Sequence, residues 1–322
     1  MMAYKKPILS FRYLQSLIGF KEKDLKRIAD KVGRYYKPFD SRKIGATKSK
    51  WRHIDNPTDT LKKIQSRLQS RLLNKYVFPD TIFGGVRGGS PIKNAKVHVG
   101  QAWVVALDLK NCFGRINPRS IYNAYENVFG CCSDIASLLT KLTTFQHRLP
   151  QGAPSSSTLA NAALLPMHDE IKLICDQFGL RFSFFVDDIT FSGNNALKAI
   201  ETIHKIILKY GHEVNWEKKK IMPRFVSQRV TGPVINHKLS IGRAKKKIIF
   251  DRIMEFANKS EITTTEYRSL WGQIAYAKIV CFEQGIVLEN RAEKYLPLPT
   301  DKQNAERIKI AETRPCKKHS YH

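Results

Sequence analysis

Two adjacent aspartates, Asp187 and Asp188, stand in the run RFSFFVDDITFSG, flanked on both sides by phenylalanine, valine and isoleucine. The alternation of Phe182, Phe184 and Val186 predicts a strand with one face on a core, and Ile189 to Phe191 a second strand that Gly193 ends. A buried carboxylate without a partner is costly, and two side by side repel each other. The segment therefore predicts strand, tight turn, strand, with both charges at a tip that reaches solvent or meets a cation.

A third acid, Asp108, closes the continuous apolar run QAWVVALDLKNCFG, which predicts a strand buried on both faces. If this strand lies beside the Asp-Asp hairpin, three carboxylates converge on a site for hard divalent cations. Two Mg²⁺ ions roughly 4 Å apart could then clamp the attacking and leaving oxygens of a phosphoryl transfer. Taken alone, the Asp-Asp pair reads equally as an ordinary hairpin turn.

Around these strands, Leu61, Ile64, Leu68 and Leu72 form one helical stripe, with Lys62, Lys63, Arg67 and Arg71 on the other face, solvated or against a template. LPQGAPSSSTLANAALL passes from turn to helix, with Ser155 to Thr158 as candidate N-caps and Pro166 expected to kink or break it. FGGVRGGSP (83–91) lacks the ending of a phosphate loop and predicts a flexible loop able to approach a phosphate chain. A helix follows over 196–210, and two amphipathic helices lie beyond Arg243.

Lysine and arginine total 55 against 28 acids, a formal charge of +27, and the first fifty residues alone carry fourteen basic and four acidic side chains. So large a surplus points to a nucleic-acid partner. The six cysteines (Cys112, Cys131, Cys132, Cys175, Cys281, Cys316) form no CxxC pair, as expected of a reduced compartment. With no secretory signal or membrane-spanning run, the expected location is cytoplasmic and no membrane partner is expected.

The motifs, in order, resemble those of bacterial retron reverse transcriptases: NAKVH (Asn94 to His98), LDLKNCF, LPQGAPSS, FVDD and QRVTG (Gln228 to Gly232), with SIGR before a basic helix. The resemblance runs from about Lys50 to Arg243. It implies an α+β right-hand polymerase, with a palm built on an antiparallel sheet with helices, and a helical thumb. The expected segments are a basic helical N-terminus (1–45), fingers and palm (46–235), thumb (236–298) and a basic tail (299–322). RNA-directed DNA synthesis with two Mg²⁺ ions and dNTP substrates is the implied chemistry. Asp108, Asp187 and Asp188 would be catalytic and hold metal with the Leu109 carbonyl. Phe113 would be the gate that excludes a ribose 2′-OH, although it also reads as a core aromatic. Gln151, Gly152 and Arg52 would meet the incoming nucleotide, with Lys48 and Lys50 as substitutes for Arg52. One of Lys218, Lys219 and Lys220 would reach the triphosphate. Asn94, His98, Arg229, Val230, Thr231, Gly232, Arg243, Lys245, Lys246 and Lys247 would contact RNA or the hybrid, His98 reading equally as a satisfied core histidine. The sequence departs from the family in its FVDD, where YADD is common, and in Ser157, where proline often follows PSS.

The resemblance further implies a cognate structured non-coding RNA, copied into a branched RNA–DNA hybrid (msDNA), in anti-phage defence with a separately encoded effector. No maturase or endonuclease segment follows the thumb, which argues against a group II intron protein. Two other readings stay open: a defence polymerase outside the retrons, and a scaffold whose finished hybrid restrains a toxic effector.

Overall fold

The computed structural model describes residues 8–42, 51–259 and 261–296, which fall into two compact units divided between Thr231 and Gly232. In the first unit, α1 (Phe11–Ile18) and α2 (Glu22–Asp30) precede a two-stranded antiparallel ribbon of β1 (Tyr36–Arg42) and β2 (Trp51–Pro57). β1 occupies YKPFDSR, within the stretch expected to be a basic helical N-terminus. It carries no apolar alternation and is a strand because β2 pairs with it from Tyr36↔Pro57 to Arg42↔Trp51. α3 (Asp59–Arg71) buries Leu61, Ile64 and Leu68 as the stripe predicts. Arg67 and Arg71 lie on its opposite side but are neither idle nor aimed at a template. They donate to the carbonyls of Ile18 and Leu17, satisfying the open end of α1.

A four-stranded antiparallel sheet follows, made of β3 (Trp103–Asp108), β4 (Arg181–Phe185), β5 (Asp188–Ser192) and β6 (Lys220–Pro223) in the order β4-β5-β3-β6. β3 differs from its expected double burial. Val105 and Leu107 pack into the core, whereas Ala106 and Asp108, on the other face, are only half-buried and line a cleft. An antiparallel sheet can leave one face open in this way. The helical side is built by α4 (Pro91–Val97), short α5 (Cys112–Arg115), α6 (Pro118–Asn123), α7 (Ser133–Thr143), α8 (Ser156–Gln177) and α9 (Ala196–Lys209). α8 packs on β4 and α9 on β3.

α8 runs unbroken for 22 residues through Pro166. The proline sits on the exposed face while Leu164, Leu165, Met167 and His168 around it are buried, so packing carries the helix past the missing N–H. Its N-cap, Ser155, makes no side-chain capping bond.

The second unit contains α10 (Arg243–Ala257), α11 (Thr264–Val280) and α12 (Phe282–Tyr295). α11 starts at a reciprocal capping box between Thr263 and Glu266. α12, not singled out from sequence, buries Gly285, Leu288 and Ala292. Gly285 lies so close to Lys278 of α11 that a Cβ there would meet the lysine backbone. Among the described residues no helix is long and apolar enough to cross a membrane.

Candidate active site

The sheet register brings the three acids together. β3 and β5 run antiparallel with Asp108 directly opposite Asp188. Asp187 lies one residue earlier, in the two-residue turn Val186–Asp187 between β4 and β5, and its carbonyl accepts from the Leu109 amide at 2.9 Å. Val186 adopts φ 60°, a conformation usually left to glycine and costly for a β-branched residue, by about 1–3 kcal/mol.

The strained turn is braced from behind. Residues 81–83 run along the outer edge of β4, with Phe83 N–H donating to the Phe184 carbonyl (2.9 Å) and Phe184 N–H to Thr81 (2.8 Å). The chain then turns under Val186 at Gly84, where a Cβ would stand 2.7 Å from both Val186 Cγ2 and its backbone nitrogen. Asn161 and Thr158 of α8 donate to the Gly84 and Gly85 carbonyls at 2.6 and 2.8 Å. Gly84 therefore serves close packing against the acidic turn and Gly85 against Ser157 of α8, where the sequence suggested flexibility.

Burial pushes the Asp187 carboxyl above its usual range, and the Asp108 charge pushes the same way, while Lys218 and Arg52 oppose it. Asp188 is raised to about 6, first by burial and then by Asp187 and Asp108. So much clustered negative charge calls for a cation. Lys218 Nζ lies 2.5 Å from Asp108 Oδ1. Among the described residues no three carboxylate, imidazole or thiolate groups form a ready-made cage. An open cluster of this kind suits Mg²⁺, which keeps water and shares substrate phosphates as ligands.

Asp108 and Asp188 open onto a cleft of about 390 Å³ lined also by Ala106, Lys218, Lys220 and Arg229, among others. The three candidate lysines separate here. Lys218 reaches Asp108, Lys219 lies over the Trp216 ring at 4.7 Å, and Lys220 begins β6 along the cleft. Phe113 is half-buried in α5, beside the core. Its neighbour Cys112 is buried near Asp187 and Asp108, its thiol pushed up to about 12 by burial first. Arg52 is exposed on β2, and its charge acts on Asp187. β2 also meets the Gln151–Gly152 turn: Asp55 N–H donates to the Gln151 carbonyl at 2.9 Å, and a Cβ on Gly152 would stand 2.8 Å from Ile54.

The residues expected to touch RNA divide. Asn94 and His98 are fully buried and have no surface to offer, so direct contact is corrected to a framework role for both. Asn94 Nδ2 reaches Thr231 Oγ1 at 3.3 Å, and Thr231 Oγ1 donates to the Pro91 carbonyl at 2.6 Å, so α4 is tied to the VTG segment. His98 stands between Ser192 (Nδ1, 2.7 Å) and Ser183 (Nε2, 2.8 Å), joining the strands on either side of the acidic turn. Burial, with Arg181 nearby, drops its pKa to about 3, so it is neutral. Val230 as a whole is only 2% exposed and has almost no surface for an RNA contact, so that expectation is corrected as well. Arg229 lines the cleft.

In the second unit, Gly232 has φ 120°. There Arg243 and Lys247 are exposed, Lys245 lies 4.2 Å over the Tyr276 ring, and Lys246 lines a cavity of about 450 Å³ with His237 and Arg243. Lys48, Lys50 and the basic tail lie outside the described residues.

Comparison with known proteins agrees with this geometry. The profile of the reverse transcriptase (RNA-dependent DNA polymerase) family matches residues 40–261. The chain is 27% identical over 314 residues to the retron Se72 reverse transcriptase of Salmonella heidelberg, covering 92% of this chain and 82% of the relative. It is 30% identical over 230 residues to the retron Ec86 reverse transcriptase of Escherichia coli, 70% of this chain and 71% of the relative. Among solved structures, telomerase from Candida albicans with a fragment of telomeric RNA aligns at a TM-score of 0.45 and 12% identity, over 90% of this chain and 61% of that one. With its acids paired across an antiparallel sheet, the chain belongs to the reverse transcriptase family, within it to the bacterial retron enzymes, and is an RNA-directed DNA polymerase.

Proposed function

We propose that this polymerase copies part of one cognate structured non-coding RNA into DNA and leaves a branched RNA–DNA hybrid. The placement of Asp108 opposite Asp188, with Asp187 in the adjoining turn, carries the catalytic part of the reading. Magnesium ions bound by Asp108, Asp187 and the Leu109 carbonyl, with Asp188 beside them, would activate the priming hydroxyl and neutralise the triphosphate. The chain's own residues set everything around that chemistry. The ion pair of Lys218 with Asp108 supports Lys218 as the lysine that would turn toward a triphosphate. Arg52 on β2, and the Gln151–Gly152 turn that β2 meets through Ile54 and Asp55, would form the nucleotide's other wall. Phe113 lies against the sugar and rejects a 2′-OH.

On the first unit Arg229 and Thr231, and on the second Gly232, Arg243, Lys245, Lys246 and Lys247, would each contact template or hybrid, mainly through phosphates and 2′-OH groups. Asn94 and His98 stiffen the frame of the first unit. We assign the hybrid to anti-phage defence with a separately encoded effector, in a cytoplasmic setting.

Expression of the chain together with its native flanking DNA tests this reading. The expected product is DNA of one fixed length joined covalently to RNA, absent with Asp187→Asn although RNA still copurifies. Unbranched or repetitive DNA would instead mark a polymerase with different priming. Synthesis by Asp187→Asn above about one per cent of the wild type would remove the metal assignment, since loss of a metal ligand costs far more than a hundredfold (about 2.7 kcal/mol).

A further inference from the structure

The Asp55 carboxylate is 2% exposed and belongs to none of the motifs singled out in the sequence, yet three groups converge on it. Arg148 Nη2 lies 3.1 Å from Oδ1 and 3.4 Å from Oδ2. The Gln151 backbone N–H donates to Oδ2 at 3.3 Å, and His53 Nε2 stands 3.4 Å from Oδ1. The Asp55 N–H, in turn, donates to the Gln151 carbonyl at 2.9 Å. One residue of β2 is thus bonded to both backbone groups of Gln151 and to an arginine three positions before it.

Arg148 is itself held in a fixed place. It closes the tight turn Phe145–Arg148 through reciprocal backbone bonds of 2.9 and 3.1 Å. The two central residues, Gln146 and His147, both take left-handed conformations, φ 48° and 58°. Such a turn persists only where its surroundings over-determine it. Arg148 Nη1 also reaches Gln146 Oε1 at 3.0 Å, so the guanidinium is oriented from both ends.

Arg52 sits three residues before Asp55 on the same strand, and Gly152 directly follows the amide that Asp55 accepts. Simple packing of Ile54 on Gly152 fixes the distance between strand and turn. The carboxylate adds direction: it accepts from Arg148 and from the Gln151 N–H at once, which a single carbonyl oxygen could not do as well.

We propose that Asp55, through Arg148 and the Gln151 backbone, is a positioning residue for the incoming nucleotide, locking the Arg52 strand to the Gln151–Gly152 turn. The proposal rests on the reading that Arg52 and Gln151–Gly152 face the nucleotide. Asp55 touches no substrate. Its contribution is to keep two halves of one pocket in register, where displacement of about 1 Å can cost up to a hundredfold.

The test is nucleotide incorporation by the full chain on a primed RNA template, measured for Asp55→Asn, Arg148→Gln and the pair, with Arg52→Ala and Gln151→Ala as references. Asp55→Asn and Arg148→Gln should each raise KM for dNTP about tenfold, with kcat and template affinity within about twofold of wild type. The double variant should be no worse than the weaker single one, because both changes open one clamp. A merely structural role would lower the melting temperature and the active fraction while leaving KM alone. Should Asp55→Asn fail to fold, Arg148→Gln decides alone, since its side chain is 28% exposed and leaves Asp55 with the Gln151 amide and His53. KM within twofold of wild type in the clamp variants, while both reference variants raise it, overturns the proposal and leaves the pocket reading standing. If neither reference variant changes KM, the pocket reading falls and the proposal with it.

Discussion

His98 offers the most quantitative perturbation. Its ring is buried between Ser183 of β4 and Ser192 of β5, and its pKa falls from 6.5 to about 3. In the unfolded chain the same imidazole takes up a proton near pH 6.5. The folded state is therefore not penalised above that value, and it loses stability as pH drops toward about 3. Between pH 7.5 and 4.5, linkage gives a loss of about 2–3 kcal/mol from this one residue. His98→Gln keeps a hydrogen-bonding side chain but cannot titrate. Urea unfolding of both proteins at the two pH values isolates the effect, because carboxylates and the other histidines contribute equally to each. The wild type should lose about 2–3 kcal/mol more than the variant over this interval, even if the variant is less stable throughout. Equal losses would refute the reasoning and mean that His98 is reached by water or charged in the fold. Activity should fall with stability, since these strands carry Asp187 and Asp188 at their joined ends.

Two further outcomes are expected. Phe113→Val should admit ribonucleotides, read as a fall in the dNTP-to-rNTP ratio of kcat/KM with dNTP incorporation largely kept; unchanged discrimination would return the ring to a packing role. Gly84→Ala places a methyl 2.7 Å from the Val186 nitrogen and side chain, so the acidic turn must shift. Destabilisation of about 1–3 kcal/mol and a large drop in polymerisation should follow, checked by unfolding and primer extension, and a wild-type alanine variant would disprove the close approach.

The catalytic strands were legible because the chain states them locally. Alternating phenylalanines up to Asp187 and Asp188, and the apolar run ending in Asp108, fix strand and turn without knowledge of neighbours. What escaped is tertiary. β1 is a polar segment that becomes a strand only through β2. Pro166 is tolerated because buried residues surround it on a helix whose proline faces out. Asn94 and His98 lie in a motif, but a motif does not say whether its residues face solvent. That Lys218, and neither of its two neighbours, reaches Asp108 depends on where β6 begins. Asp55 and Arg148 are 93 residues apart, and nothing in either local sequence announces the other. α12 was missed although Gly285, Leu288 and Ala292 repeat at helical spacing, a signal weakened by the glycine that lets it approach α11.

The pairing of Asp108 with Asp188 sits on the two inner strands of the sheet, with β4 and β6 outside them. The gap between these charges is thus a property of the pleat, measured by the backbone and indifferent to side-chain fashion elsewhere. Fraying at either margin leaves it intact, whereas a single inserted residue within 103–108 or 188–192 would send one acid to the opposite surface. Length variation in such a chain belongs in its connecting loops, and the inner strands behave as a ruler that tolerates substitution but no change of count.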